Sequence, residues 1–282
     1  MKRFIFSDNG TLKDKTINLE KYHSDSEVID YVTSNDAIYI GSELPFNSLF
    51  FDVAVSNTTS GNISIKYWDA TTWRSMVETF DETEVGGIPF STSGHITWVP
   101  DRNYLWAQSN TTYPSGTEQI TGLGNITIYD LYWIKIEYDA TLDNTLELNW
   151  IGPKFCHDND LTGEYTLFSN STFKSNYLTG KTDWENEIII ASRIMIEDII
   201  NKGVISGAGQ LLKRRKLRDA CVSKTAQLIF KNLGDDYKDD AERAWKEYKD
   251  RLSMSNYGAD LNNNATFDTS VELGVKTGVL FR

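Results

Sequence analysis

The sequence predicts an α+β protein, with an antiparallel, jelly-roll-like β-sandwich over residues 1–155 followed by a helical domain over 182–255. Three observations lead there. Apolar and polar residues alternate through the first half, apolar spacing changes to three and four after residue 182, and six of the eight tryptophans fall before residue 155. Period two with polar partners is the mark of half-buried strands, and a period near 3.6 that of helices.

In the first half the alternation is explicit. Ile63, Ile65 and Tyr67 share one face of "NISIKYW", and Tyr132, Ile134, Ile136 and Tyr138 share one face of "YWIKIEY". Phe51, Val53 and Val55 do so in "FDVAV", and Leu146, Leu148 and Trp150 in "LELNW". Turn clusters at 56–62, 100–103 and 141–145 punctuate these runs at sandwich-like intervals. Residues 156–181 are polar and broken by glycine, without a firm period, and read as a linker or extended arm.

From Thr182 the pattern is helical. Thr182 with Glu185 forms a capping box and Gly203 a stop. Between them Trp184, Ile188, Ala191, Met195 and Ile199 make one stripe, while Ile189, Ile196 and Ile200 make another. A helix apolar on two sides needs two packing partners, either the neighbours of a small bundle or an adjacent subunit. A second helix follows, with Leu217, Cys221 and Leu228 inside and Gly234 as C-cap. The third aligns Tyr237, Ala241, Ala244, Tyr248 and Leu252. Its outer face carries the pairs Asp239/Arg243, Glu242/Lys246 and Glu247/Arg251, each worth about 0.3 kcal/mol. Residues 256–282 read as a C-terminal β arm.

Composition narrows the function. The net charge of -12 is carried by the first half, where 21 acidic residues face 10 basic ones over 1–155, whereas 183–255 has 13 against 14. An acidic half repels nucleic acid, which disfavours a dedicated nucleic-acid binder. No apolar run approaches the ~20 residues of a membrane span, and "MKRFIFSDNG" has no signal-peptide core, so the expectation is a protein used without secretion. The six Asn-x-Ser/Thr sequons then read as by-products of composition. Cys156 and Cys221 form no spaced motif, so no disulfide framework is expected.

Candidate sites are few. "DLNNNATFD", from Asp260, mimics a calcium loop, but Ala265 and Val271 stand where an EF-hand needs Gly and Glu, which favours an Asx-turn. "CHDND" puts Cys156, His157 and Asp158 in a row without a second ligand pair, and no metal is expected. The three His lie far apart, no Gly-x-Ser-x-Gly is present, and Asp81, Glu82 and Glu84 are the carboxylates a hydrolase would draw on. The balance is against an enzyme, and no cofactor is expected. Trp68, Trp73, Trp98, Trp106, Trp133 and Trp150 fit a sandwich core, or, if exposed, sugar stacking. The basic run Lys213, Arg214, Arg215, Lys216 and Arg218 fits a solvated helix start or a phosphate contact.

The segment from "DWENEIIIASRIMIEDIINKG" through "LRDACVSKTAQLIFKNLG" to "KDDAERAWKEYKDRL" and "DLNNNATFD" resembles the head-tail connector, or neck adaptor, proteins of tailed bacteriophages. The likeness lies in the order of features and covers roughly residues 183–270. It implies a structural virion protein, assembled in the host cytoplasm. That protein would form a ring, expected to be dodecameric, under the portal, joining capsid to tail and continuing the DNA channel without reading sequence. The first helix would then meet a neighbouring copy through Trp184, Ile189, Ile196 and Ile200. An arm bearing Phe267, Val271, Leu273, Val275, Val279 and Phe281 would dock on the portal protein, and Lys213–Arg218 would face the channel. The sandwich departs from small connectors and would lie on the periphery, meeting tail or neck proteins. The alternatives are a tail- or fibre-associated carbohydrate-binding protein and a polysaccharide hydrolase.

Overall fold

The computed structural model describes residues 2–22, 26–32, 36–101, 103, 106–108, 120–124, 130–142 and 145–266. The chain is α+β, with two antiparallel sheets in one compact unit (1–152 and 262–266) and helices in a second (153–261).

The first unit contains β1 (Lys2–Asp8), β2 (Thr11–Asp14), a short α1 (Thr16–Glu20), β3 (Glu27–Val28), β4 (Ala37–Ser42), β5 (Ser48–Val55) and β6 (Ile63–Trp68). It continues with β7 (Trp73–Ser75), β8 (Glu78–Asp81), β9 (Gly94–Val99), β10 (Tyr132–Tyr138) and β11 (Glu147–Gly152). Six strands form a sheet in the order β2-β1-β4-β10-β6-β7, and five form the other, β3-β11-β5-β9-β8. Strands consecutive in sequence often lie in different sheets, so every central pairing is between distant segments. One core joins the sheets, with Phe4, Ile40, Ile65, Tyr67 and Ile134 from the first and Leu49, Phe51, Ile96, Trp98 and Leu148 from the second.

The alternating faces of Ile65/Tyr67, Ile134/Ile136/Tyr138 and Leu146/Leu148 are buried in the core as the period requires. A register shift after Leu148 puts Ile151 there instead of Trp150, which is buried against Phe50 and Tyr22. The simple polar-outside pattern fails for β4, which is buried along its whole length. The reason is a second apolar layer on the outer face, built from Ile5, Tyr39, Trp68, Leu131 and Trp133. Gly94 marks a tight point between β8 and β9, because a Cβ there would lie 2.4 Å from the Glu82 carbonyl oxygen.

The helical unit differs from expectation at its start. Residues 156–181 are no linker. They form α2 (Asp158–Glu164), a 3-10 turn at Thr166–Ser169 and α3 (Ser171–Tyr177), and they bury Leu161, Phe168 and Phe173 in the unit's core. The Thr182/Glu185 capping box is also absent. The Thr182 hydroxyl turns to Asp183, and Asp183 Oδ1 accepts the Glu185 N–H at 3.1 Å.

Then come α4 (Glu185–Asn201), α5 (Arg218–Leu233) and α6 (Lys238–Met254). Gly203 follows α4, and Gly234 ends α5 at φ +92°, a conformation suited to glycine. The expected inner faces are found, with Leu217, Cys221, Ala244, Tyr248 and Leu252 buried. The charge pairs on α6 are not those expected. Arg243 pairs with Asp240, Arg251 reaches Glu164 in α2 at 2.6 Å, and Glu247 accepts from the Tyr165 hydroxyl at 2.5 Å. Tertiary partners from 158–165 outcompete i,i+4 neighbours, whose pairing gains only tenths of a kcal/mol.

Two predictions follow from this packing. Phe168 is fully buried between Trp184, Phe173 and Phe230, with ring centroids 5.0–5.5 Å away. Phe168→Ala should cost about 3–5 kcal/mol in urea unfolding, whereas a linker residue would cost almost nothing. Asp69 is the second case. Burial pushes its carboxyl up, but Arg74 Nε at 2.6 Å and the Thr71 and Thr72 groups pull harder and hold it well below the usual carboxylate range. A depressed folded value means stability present above the unfolded pKa of about 3.9 and lost as pH falls through the folded one. The melting temperature of Asp69→Asn should therefore lie below wild type at pH 7, and the gap should narrow below pH 4.

Candidate functional site

Most groups singled out in the sequence are engaged in holding the fold. Trp98 and Trp133 are fully buried, Trp150, Trp68 and Trp106 nearly so, and half-buried Trp73 donates its Nε1–H to the Thr121 carbonyl at 2.8 Å. No one of the six stands as an open platform, and the sugar-stacking reading loses its residues. Asp81 is half-buried. Burial raises the pKa of its carboxyl, while Oδ1 is held by the Thr83 N–H and hydroxyl at 2.7 and 2.6 Å. Glu82 Oε2 lies 3.4 Å from His95 Nδ1 and Glu84 is exposed. A cleft at Tyr31, Asp36, Asn62 and Asp139 looks acidic, yet Asp36 accepts the N–H groups of Asn9 and Val32, and Asp139 binds Asn62 twice.

"CHDND" is a helix start. Asp160 Oδ2 accepts the His157 N–H at 2.9 Å, and Asp158 Oδ1 accepts the Trp184 N–H at 2.9 Å. Among the described residues no group of three His, Cys, Asp or Glu could hold a metal. Cys156 and Cys221 are buried free thiols, with Ser192 Oγ 3.4 Å from the Cys221 sulfur. In the 260–266 turn, Asn264 Oδ1 accepts the Thr266 N–H and hydroxyl at 2.8 and 2.7 Å, the local bonding expected of an Asx-turn.

The proposed contact residues divide. The arm residues Phe267, Val271, Leu273, Val275, Val279 and Phe281 lie outside the described residues. Trp184, Ile189 and Ile196 are buried within the chain itself and Ile200 is half-buried, so they are not an open subunit face. For Trp184 the partner is the unforeseen segment 158–177, whose Phe168, Phe173 and Tyr177 pack on its ring. On α4 the exposed isoleucine is Ile190. Of the basic run, Arg214 is buried, and its guanidinium donates to the Leu211 and Ala208 carbonyls. Burial lowers its pKa to about 10. It is a structural arginine unable to meet phosphate, whereas Arg215, Lys216 and Arg218 are exposed and Lys213 half-buried.

What remains is a cleft of about 590 Å³ between α5 and α6, within the range of ligand sites. Lys224, Gln227 and Lys231 repeat at three and four along α5, and Lys238, Ala241 and Trp245 do the same along α6. Lys224 is only 6% exposed, and its ammonium lies 4.6 Å from the Trp245 ring and 4.9 Å from Tyr248. Burial lowers its pKa against the pull of Asp198, which accepts the Tyr248 hydroxyl at 2.6 Å. No carboxylate pairs with Lys224 among the described residues. One turn on, Gln227 Oε1 is buried and accepts no hydrogen bond. A desolvated cation and an idle acceptor, side by side and walled by Trp245, can hold an anion that carries a donor next to it.

Sequence reading passed over Lys224, Gln227 and Trp245. The available signal was Lys224 inside the apolar run "ACVSKTAQLIF", on the side that a packed helix buries. Burying an unpaired cation costs stability, and replacing it by an apolar residue of similar length is often neutral or favourable. Lys224→Met should leave urea-unfolding stability unchanged or raise it by about 1–2 kcal/mol; a loss of that size would mean that the lysine serves the fold. No protein-family model matches this chain, and no characterised protein matches it in sequence.

Proposed function

We propose that the chain is a structural assembly protein of a tailed phage, a head-tail adaptor. In this reading the helical unit builds a ring under the portal, and the two-sheet unit, read as a jelly-roll-like sandwich, sits at the periphery. The observation that carries the proposal is the order within the helical unit. An apolar α4 ended at Gly203, an α5 spelling "RDACVSKTAQLIFKNL" and ended at Gly234, and a charged α6 follow one another as the resemblance requires. The six sandwich tryptophans and several carboxylates, Asp36, Asp81 and Asp139 among them, are engaged in holding the fold, which fits a structural role. Among the described residues no helix is long and apolar enough to cross a membrane.

The ring contact in this reading must come from exposed positions such as Ile190 and from the α5–α6 side, since Trp184, Ile189 and Ile196 are spent inside the chain. The portal-docking β arm remains the role assigned to residues 267–282, and Lys216 and Arg218 the channel-facing cations. Native mass spectrometry of the purified protein, alone and with portal protein, tests the reading. Expected are rings at multiples of the 32.1 kDa chain that bind portal, with portal binding lost on removing 267–282 and helical circular dichroism retained. A chain that neither self-associates nor binds portal overturns it.

A further inference from the structure

We propose that the α5–α6 cleft is a docking site for residues 84–87, the hairpin tip between β8 and β9, of a second copy of the chain. The inference rests on the self-assembly reading above and names a contact that would drive it.

The cleft selects its occupant on three counts. Lys224, buried and without an ion pair among the described residues, calls for one anion. Gln227 Oε1, buried and accepting nothing, calls for a donor nearby. Bare phosphate or a polyanion satisfies the first demand only, and Asp235 and Glu242 in the lining oppose a run of negative charge. A peptide segment with one carboxylate beside a free N–H satisfies both. Trp245, 38% exposed and 4.6 Å from the Lys224 ammonium, adds an apolar wall beside the anion site.

The tip offers those groups in sequence. Glu84 is exposed, and Val85 is 60% exposed. Gly86 and Gly87 follow at φ +64° and +80°, closed by the Val85–Ile88 bridge at 3.3 Å. Positive φ at both central residues is the tight hairpin turn that makes such a tip protrude. The N–H groups of Gly86 and Gly87 make no hydrogen bond among the described residues. Carboxylate, apolar side chain and idle N–H are thus the kinds of group that Lys224 or Lys231, Trp245 and Gln227 can receive.

The two surfaces are different patches of one chain, so the contact is heterologous. Such contacts close into rings or run on as filaments, which is the geometry that an adaptor ring needs and that a two-fold dimer would not supply.

Sedimentation velocity over a concentration series tests this with wild type, Lys231→Glu, Glu84→Lys and the double variant. Lys231 and Glu84 are exposed, and circular dichroism checks that each variant is folded. Expected is self-association of wild type, weakened about tenfold or more in each single variant by like-charge repulsion and largely restored in the double variant. If the single variants associate as wild type does, assembly uses another surface and the docking proposal falls while the ring reading stands. A double variant no better than the singles also overturns the pairing. Wild type that stays monomeric and yet binds portal overturns the docking alone; monomeric wild type without portal binding overturns both.

Discussion

The helical unit is organised around the indole of Trp184. Its backbone N–H is held by Asp158 and its Nε1–H by the Phe168 carbonyl at 2.9 Å. Its ring is packed by Tyr177, Phe168 and Phe173 at 5.0, 5.4 and 6.2 Å, with Lys181 5.1 Å from its centre. One residue thus ties the start of α4 to α2, the 3-10 turn and α3. Lys154 and Glu185, and Lys181 and Glu187, complete the enclosure with largely buried ion pairs. Ion pairs so placed stabilise little by themselves, but losing one partner strands a buried charge, so the arrangement tolerates few alternatives.

The sequence was legible where one physical signal dominated. Period-two runs located β6, β10 and β11, and Gly234 located the end of α5 to the residue. It misled where short-range signals competed with packing partners that lie far along the chain. Thr182 and Glu185 have cap spacing, but Asp183 and Asp158 take the bonds. Residues 158–177 make helices too short to establish a period, and what orders them is the aromatic contact of Phe168 and Phe173 with Trp184. Asn170, which caps α3 by accepting from Thr172 and Phe173, was the local sign available. Arg214 read as part of a solvated or phosphate-binding run, and Lys224 drew no reading, because sequence records charge and not depth. The α5–α6 cleft was illegible for the same reason, since Lys224 meets Trp245 only after Gly234 folds one helix against the other.

Both units use carboxylates to hold the chain. In the sheets Asp36, Asp69 and Asp139 accept two or more bonds each from nearby backbone or side chains, and in the helical unit Asp158 and Asp198 accept from Trp184 and Tyr248. Each unit also keeps buried polar atoms without a partner among the described residues, Asp81 Oδ2 and Trp133 Nε1 in the sheets and Gln227 Oε1 in the helices. What sets Gln227 apart is its place in an open cleft beside Lys224 and Trp245, on helices that hold side chains more firmly than loops do.

The chain leaves the two-sheet unit at residue 152 and returns to it at 262–266, where Ala265 joins the core. During synthesis, therefore, the sheets cannot complete their packing until the whole helical unit has left the ribosome. Early nascent chains carry a sheet core that still lacks its last residue, Ala265.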